Sequence, residues 1–374
     1  MSSSLIFGMP ARCWKSFSSG EITSRWIREK PVTPERFQTI TEKYPALRIA
    51  LIGDFCLDRY LEIDPARAET SIETGLPVYN VVNVRAQPGG AGTILNNLVA
   101  LGLGTIYPVG FHGMDGEGFE LRRALAAKPG VSLAHFLQTG QRRTFTYCKP
   151  LILEAGQPPR ELNRLDSKNW SPTPIAVEDE LIQAMHNLSQ TVDAMILLDQ
   201  VDVADTGVVT GRLLGQVQEA TKPSPKLLVL ADSRRGLRGF PPLIFKMNAA
   251  ELAALTGTPP TPDLETIKQT ATDLARQNGR LVFITLAERG MVGASPDGVV
   301  EHVAALPIRG PLDIVGAGDA VSANLTMALA AGATLREALE LANAAASIVV
   351  HQLGTTGSAS VAQLGELLFG RKPS

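Results

Sequence analysis

The sequence predicts an α/β fold: a doubly wound, mainly parallel sheet flanked by helices. Three observations predict it. From Arg48 onward, short apolar runs alternate with amphipathic stretches of helical spacing, the pattern of strands buried on both faces. Two glycine-rich turns, at 89–92 and 316–318, each lead directly into a run of small residues and helix formers. A length of 374 residues, with 44% hydrophobic and 19% charged content, suffices for one large core.

The elements follow in order. Residues 1–34 mix Ser, Arg, Lys and Pro, with Trp14, Phe17 and Trp26 at no regular period. They read as an exposed, flexible N-terminal arm; a partner-docking segment and a misassigned start codon are the alternatives. Residues 35–374 form the main domain. Thr33-Pro34-Glu35-Arg36 reads as a helix start with Pro at the first helical position, placing Phe37, Ile40 and Tyr44 on one face. The first buried strand covers 49–52 and ends in Gly53-Asp54. Further strands are expected at 106–109, 194–198, 227–231, 243–245 and 281–285, with helices at 177–188, 203–219 and 264–277. Gly102 closes the helix that Gly92 opens, as a left-handed cap. Two segments, 60–85 and 144–166, break the alternation and read as extended chain with turn residues. Long connections of that kind are often active-site lids. In a doubly wound sheet, ligands belong at the carboxyl ends of the strands.

Composition excludes several function classes. A formal net charge of -2 gives no general attraction for nucleic acid or an anionic membrane. No apolar run is long enough to suggest a transmembrane helix. Cys13, Cys56 and Cys148 show no CxxC spacing, so neither a disulfide framework nor a zinc site is indicated, and a reducing cytoplasm suits them. His112, His135, His186, His302 and His351 have no metal-ligand spacing and read as structural or exposed. No GxxxxGK[ST] string is present.

The richest stretch is Asp313-Ile314-Val315-Gly316-Ala317-Gly318-Asp319, followed by a small-residue helix. Gly316, Ala317 and Gly318 can turn their N–H groups onto one point at a helix N-terminus, which suits a phosphoryl oxygen. Asp319 falls in the first turn, where it either meets a substrate hydroxyl or complements the helix dipole. The second stretch runs from Gly89 and Gly90 through Thr93 and Asn97 to Gly102.

Together these stretches resemble the two signatures of the PfkB/ribokinase family of carbohydrate kinases. The first resembles its D-T-x-G-A-G-D motif, the second its GG…N…LG motif. The resemblance runs from about Arg48 to the C-terminus. Gly53-Asp54-Phe55-Cys56-Leu57-Asp58-Arg59-Tyr60, Arg164-Leu165-Asp166 and residues 342–350 are similar to the branch of that family acting on heptose 7-phosphate.

The resemblance implies a ribokinase-like fold with a small β-lid over 60–85 and 144–166, lid-mediated homodimers, and an ATP- and Mg²⁺-dependent kinase. The acceptor would be a sugar or sugar phosphate, heptose 7-phosphate being the first expectation. A ribose-, fructose- or nucleoside-type acceptor and a non-catalytic binder are the alternatives. Asp319 would deprotonate the acceptor hydroxyl. Its pKa is expected to be low beside the helix donors. Asn248 and Glu251 match N-x-x-E, which orders water around Mg²⁺; Asn-x-x-Glu is also a capping-box variant. Thr285 and Gly290 would line the nucleotide, with Asn343 beside adenine and Asp232 and Arg234 near the phosphates. Asp54, Asp58, Gly89, Gly90, Thr93, Asn97 and Arg164 would face the sugar, carboxylates being good acceptors for vicinal hydroxyls. The chain departs from the pattern at Thr93, where the family has Asn, and at Asp199-Gln200-Val201-Asp202, where a phosphate-binding lysine is missing. A nucleotidyltransferase domain, often fused to this branch, is not expected after the last helix.

Overall fold

The computed structural model describes residues 31–224, 226–259, 263–354 and 356–370. The arm expected over 1–34 therefore lies outside the described residues except for its last four. Of those four, Val32 is docked. Val32 is buried, and its N–H donates to Glu340 Oε2 at 2.7 Å. Thr33 then caps the helix Pro34–Thr41, accepting from the Arg36 N–H, with Pro34 in the first turn where no donor is needed. Phe37 and Ile40 are buried on that helix, and Phe37 meets Phe369 edge-on at 5.5 Å between ring centres. Tyr44 is also buried, but in a 3₁₀ turn, Tyr44–Ala46, because Pro45 cannot continue the helix.

The central sheet follows the order Val300–Val303, Met291–Ala294, Val282–Thr285, Ile244–Asn248, Leu228–Ser233, Ala194–Asp199, Arg48–Gly53, Thr105–Gly113, Phe136–Thr139. Every neighbouring pair is parallel except those made by Met291–Ala294, which runs antiparallel to both its partners. Two hydrophobic layers cover its faces. One packs the helices Ala91–Ala100, Ala317–Ala330 and Leu335–Val349; the other packs Ile175–Ser189, Gly211–Thr221 and Leu264–Asn278. This is a doubly wound α/β arrangement. Among the described residues, no helix is long and apolar enough to cross a membrane.

One expected helix is shorter than its pattern. The 203–219 stretch is helical only from Gly211. Before it, Asp205 takes φ 60 and its carboxylate accepts from the Gly211 N–H at 2.7 Å. The Val208 N–H donates to Asp54 Oδ1 at 2.7 Å instead of to a helical carbonyl. Tertiary partners claim the donors that a helix would have used.

A second sheet carries Leu165–Ser167, Phe145–Ile152, Phe55–Ile63 and Val81–Gly90 in that order, with Arg160–Glu161 also on Phe145–Ile152. The strand Phe55–Ile63 leaves the central sheet one residue after Arg48–Gly53 ends, so the second sheet is rooted at the carboxyl edge of the first. Its alternation does the sorting. Phe55 and Leu57 enter the hydrophobic layer of Ala91–Ala100, while Cys56 and Asp58 turn toward Asp319.

Candidate active site

Four adjacent parallel strands deliver polar side chains to one edge: Asp54 just beyond Arg48–Gly53, Asp199 on Ala194–Asp199, Asp232 and Ser233 on Leu228–Ser233, and Asn248 on Ile244–Asn248. The helix Ala317–Ala330 points its N-terminus at this edge.

Asp319 sits in the first turn of that helix. Gly316 caps it at φ 84, a conformation that disfavours a side chain. A Cβ on Gly316 would lie 3.4 Å from Thr93 Cγ2, so the two glycine-rich stretches meet in space. The Asp319 carboxyl is pushed up to about 7, chiefly by burial, then by Asp232 and Asp58, with Lys246 opposing. The low value expected from the helix donors is thus corrected. Desolvation and neighbouring carboxylates outweigh the dipole.

Asp232 Oδ2 accepts from Lys246 Nζ at 2.7 Å and from Ser322 Oγ at 2.9 Å, all three residues being buried. A Cβ on Gly318 would come within 3.0 Å of Lys246 Nζ, so the ammonium lies against the start of the helix. Sequence reasoning missed Lys246. The signal was a lysine inside the apolar strand Ile244–Asn248, which burial permits only with a partner. Arg234, expected at the phosphates, instead turns outward, its Nε 3.4 Å from Asp202, and Arg235 reaches back to Asp199 at 2.7 Å. Lys246 holds the position proposed for Arg234, close to Asp232 and Asp319.

Asn248 and Glu251 form a reciprocal capping box. The Glu251 N–H donates to Asn248 Oδ1 at 2.9 Å and the Asn248 N–H to Glu251 Oε2 at 2.8 Å. Burial and Asp232 raise the Glu251 carboxyl above its ordinary range. The capping reading therefore holds, and Glu251 still borders the acidic cluster.

On the second sheet, Asp58 is buried with Lys149 Nζ at 3.6 Å; that ammonium also lies 4.9 Å over the Tyr60 ring. Burial raises the Asp58 carboxyl, with Lys149 and Arg164 opposing. A Cβ on Gly89 would fall 2.6 Å from Asp58 Oδ2, and one on Gly90 2.5 Å from the Asp54 carbonyl. The neighbouring strand approaches both glycines closely. Arg164 forks onto Asp166 and stacks 4.9 Å from the Tyr147 ring centre.

Two expected sugar contacts are otherwise engaged. Asp54 accepts from the N–H groups of Gln200 at 2.8 Å and Val208 at 2.7 Å, anchoring two loops with both oxygens. Asn97 donates to the carbonyls of Thr93 and Gly357 and accepts from the Ala359 N–H, tying its helix to the 357–359 loop. Thr93 itself is buried one turn earlier. At the other end of the cleft, Asn343 donates to the Ala304 carbonyl at 2.8 Å. Gly290 leaves no room beside the Val303 carbonyl, which a Cβ would meet at 2.0 Å, and Thr285 Oγ1 lies 3.5 Å from the Met247 carbonyl. Asn343 and Gly290 thus border the 303–305 segment from two sides.

Among the described residues, no group of three or more His, Cys, Asp or Glu side chains could hold a metal ion alone. Asp232, Asp319 and Glu251 nevertheless act on one cleft in which Lys246 is the cation that opposes them. That surplus of carboxylate fits a Mg²⁺ that keeps waters and is shared with phosphates.

Comparison with known proteins identifies the family and the fold. Residues 49–362 match the model of the pfkB family carbohydrate kinases. The bifunctional protein HldE of Azorhizobium caulinodans is 33% identical over 308 residues, covering 82% of this chain and 61% of that protein. HldE of Gluconacetobacter diazotrophicus is 32% identical over 326 residues, covering 87% and 64%. The chain thus spans under two thirds of the length of these curated relatives. Among solved structures, Arabidopsis thaliana ribokinase complexed with ribose and ATP superposes with a TM-score of 0.62 at 20% identity, over 86% of this chain and 99% of that one. Escherichia coli phosphofructokinase-2 in complex with fructose-6-phosphate gives 0.63 at 18%, over 86% and 98%. These two share the ribokinase-like fold. With its Gly316–Asp319 turn at the edge of that sheet, and the family match extending over most of its length, the chain belongs to the pfkB family of carbohydrate kinases.

Proposed function

We propose that this protein transfers the γ-phosphoryl group of ATP to a hydroxyl of a sugar phosphate, with a heptose 7-phosphate as the first acceptor to test. The observation that carries the reading is the meeting of Asp319, Asp58 and the Lys246–Asp232 pair in one cleft at a helix N-terminus. Asp319 takes the proton as the acceptor oxygen bonds to phosphorus and the bond to the ADP oxygen breaks. A carboxyl pushed up to about 7 is a better base for a sugar hydroxyl than an ordinary one. The N–H groups of Gly316 and Gly318, together with Lys246, hold negative charge as it migrates, while the Ala317 N–H donates to the Ile314 carbonyl at 3.3 Å. Glu251 and Asn248 would hold Mg²⁺ through water, and the ion would supply neutralisation of phosphate charge. Asp58 accepts from sugar hydroxyls and Lys149 fixes its orientation.

Thr93, standing where the family has Asn, alters one expected sugar contact and leaves the acceptor open, so a second reading takes one of ribose, fructose or nucleoside type. ADP release across sugars, nucleosides and sugar phosphates decides. Release with heptose 7-phosphate supports the first reading, and release only with other acceptors supports the second. Nucleotide binding without release on any acceptor overturns both.

The strand Val81–Gly90 exposes Val81, Val82 and Val84, and the connection leading into it exposes Ile72, Leu76 and Tyr79. A patch of that kind favours a homodimer formed through the lids. Light scattering showing only monomer removes that part of the proposal. A cytoplasmic setting remains the expectation from cysteine usage.

A further inference from the structure

Beside the cleft lies a polar cluster that the phosphoryl-transfer reading does not use. Lys168 Nζ is 2.6 Å from Asp202 Oδ2, and Arg234 Nε is 3.4 Å from Asp202 Oδ1. Arg164 covers the Tyr147 ring at 4.9 Å, and Lys168 approaches the same ring at 5.8 Å. Phe145, Trp170, Val201 and Thr206 complete a shallow pocket around Lys168, Tyr147 and Asp202. All three cations, Arg164 included, hold the Asp202 carboxyl below its ordinary range. Lys168 and Arg234 thus both pair with Asp202, while Arg164 pairs with Asp166 and acts on Asp202 from farther off.

Strand register ties this cluster to the sugar face. Asp58 pairs with Tyr147, and Tyr147 pairs with Asp166, so all three point to the same side of the second sheet. Tyr147 feels both Cys56, next to Asp58, and Arg234 and Asp202 beyond. Two strand spacings, about 10 Å, separate Asp58 from Asp166 and the arginine forked onto it. A six- or seven-carbon sugar with a terminal phosphate spans such a gap; a free pentose does not.

We propose that Lys168, Arg234 and Arg164 form the site for the acceptor's own phosphate monoester, with the Asp202 carboxylate occupying that position until the phosphate displaces it. The cluster selects phosphorylated over unphosphorylated sugars. This inference rests on the kinase reading for its substrate, but not for its test.

The full-length chain, Lys168→Met and Asp202→Asn are compared on two matched pairs: heptose 7-phosphate with heptose, and glucose 6-phosphate with glucose. Both steady-state kinetics and calorimetric binding are measured. Lys168→Met raises KM for the phosphorylated member about tenfold more than for its parent, with kcat little altered, because a charge-assisted contact is lost. Asp202→Asn lowers KM for the phosphorylated member, because a competing anion is removed. Equal shifts within each pair, or weaker binding of the phosphate by Asp202→Asn, overturn the proposal. If the unaltered protein releases no ADP with any acceptor, the kinase reading has failed and calorimetry alone decides the subsite. Sugar phosphate bound more tightly by Asp202→Asn and less tightly by Lys168→Met sustains it; heats indifferent to both substitutions, or absent, end it.

Discussion

Lys246 Nζ lies 2.7 Å from Asp232 Oδ2 and within 3.0 Å of where a Cβ on Gly318 would sit. A buried ammonium is thereby fixed against the helix turn that would receive phosphate. Burial alone would lower the lysine's pKa, but Asp232, Asp319 and Glu251 together raise it above its ordinary value, so it stays charged.

Lys246→Met should lower kcat by about 100-fold, the scale for losing one preorganised positive partner at a transition state. It should also lower stability by about 3 kcal/mol, because Asp232 is left as an uncompensated buried charge. Adding Asp232→Asn should restore much of the thermal stability but none of the turnover. Recovery of both in the double variant would mean that Lys246 only neutralises Asp232. Calorimetric melting and ADP release separate the two effects.

Asp319 gives a pH prediction with a definite sign. With its folded carboxyl near 7, turnover should rise as pH increases and level off above about 7, following the ionised base. Stability runs the other way. The folded pKa is raised above the unfolded one, so this group's contribution is fully present below about 4 and is lost as pH rises through about 7. Asp319→Asn should therefore abolish turnover and raise the melting temperature, more at pH 8 than at pH 5. The gain is on the order of 1 kcal/mol after discounting for the open side of the cleft. Nucleotide binding should survive. A variant that is equally inactive yet less stable at pH 8 would count against the raised carboxyl.

Much of the fold was legible because it is written in local pattern. The apolar runs at 49–52, 194–198 and 281–285 had no alternative to buried strands, and the 316–319 turn marked its helix. The edge chemistry was less legible. Asp54 looked like a sugar ligand because it follows a strand, but its oxygens serve Gln200 and Val208, residues about 150 positions away. Lys246 showed in the sequence only as a lysine in an apolar strand: its partner Asp232 comes from the neighbouring strand, and strand order is not a local property. The Asp319 pKa was misjudged because the helix dipole can be inferred from sequence, whereas its burial and the crowding by Asp232 and Asp58 cannot.

Gly89 tests the sugar face by volume alone. Its backbone is not among the positive-φ glycines, so Gly89→Ala carries no left-handed strain. The added methyl instead meets Asp58 Oδ2 at 2.6 Å and must displace it. KM for the acceptor should rise about tenfold or more, while KM for ATP stays within about twofold. A parallel rise in both would show that the substitution disturbs the strand pair as a whole and not Asp58.

Glu251 can be divided between its two roles by choosing the replacement. Glu251→Gln keeps an acceptor for the Asn248 N–H, so the capping box survives and stability should change by less than about 0.5 kcal/mol. Glu251→Ala removes that acceptor and should cost about 1 kcal/mol. If the carboxylate also orders water around Mg²⁺, both variants should need several-fold more Mg²⁺ for half-maximal turnover, because each lacks the negative charge whatever it does to the cap. Titrating Mg²⁺ at fixed ATP for the three proteins gives the answer. A Gln variant with unaltered Mg²⁺ demand would leave Glu251 as a helix cap and nothing more, since the surviving hydrogen bond would then account for everything the side chain does.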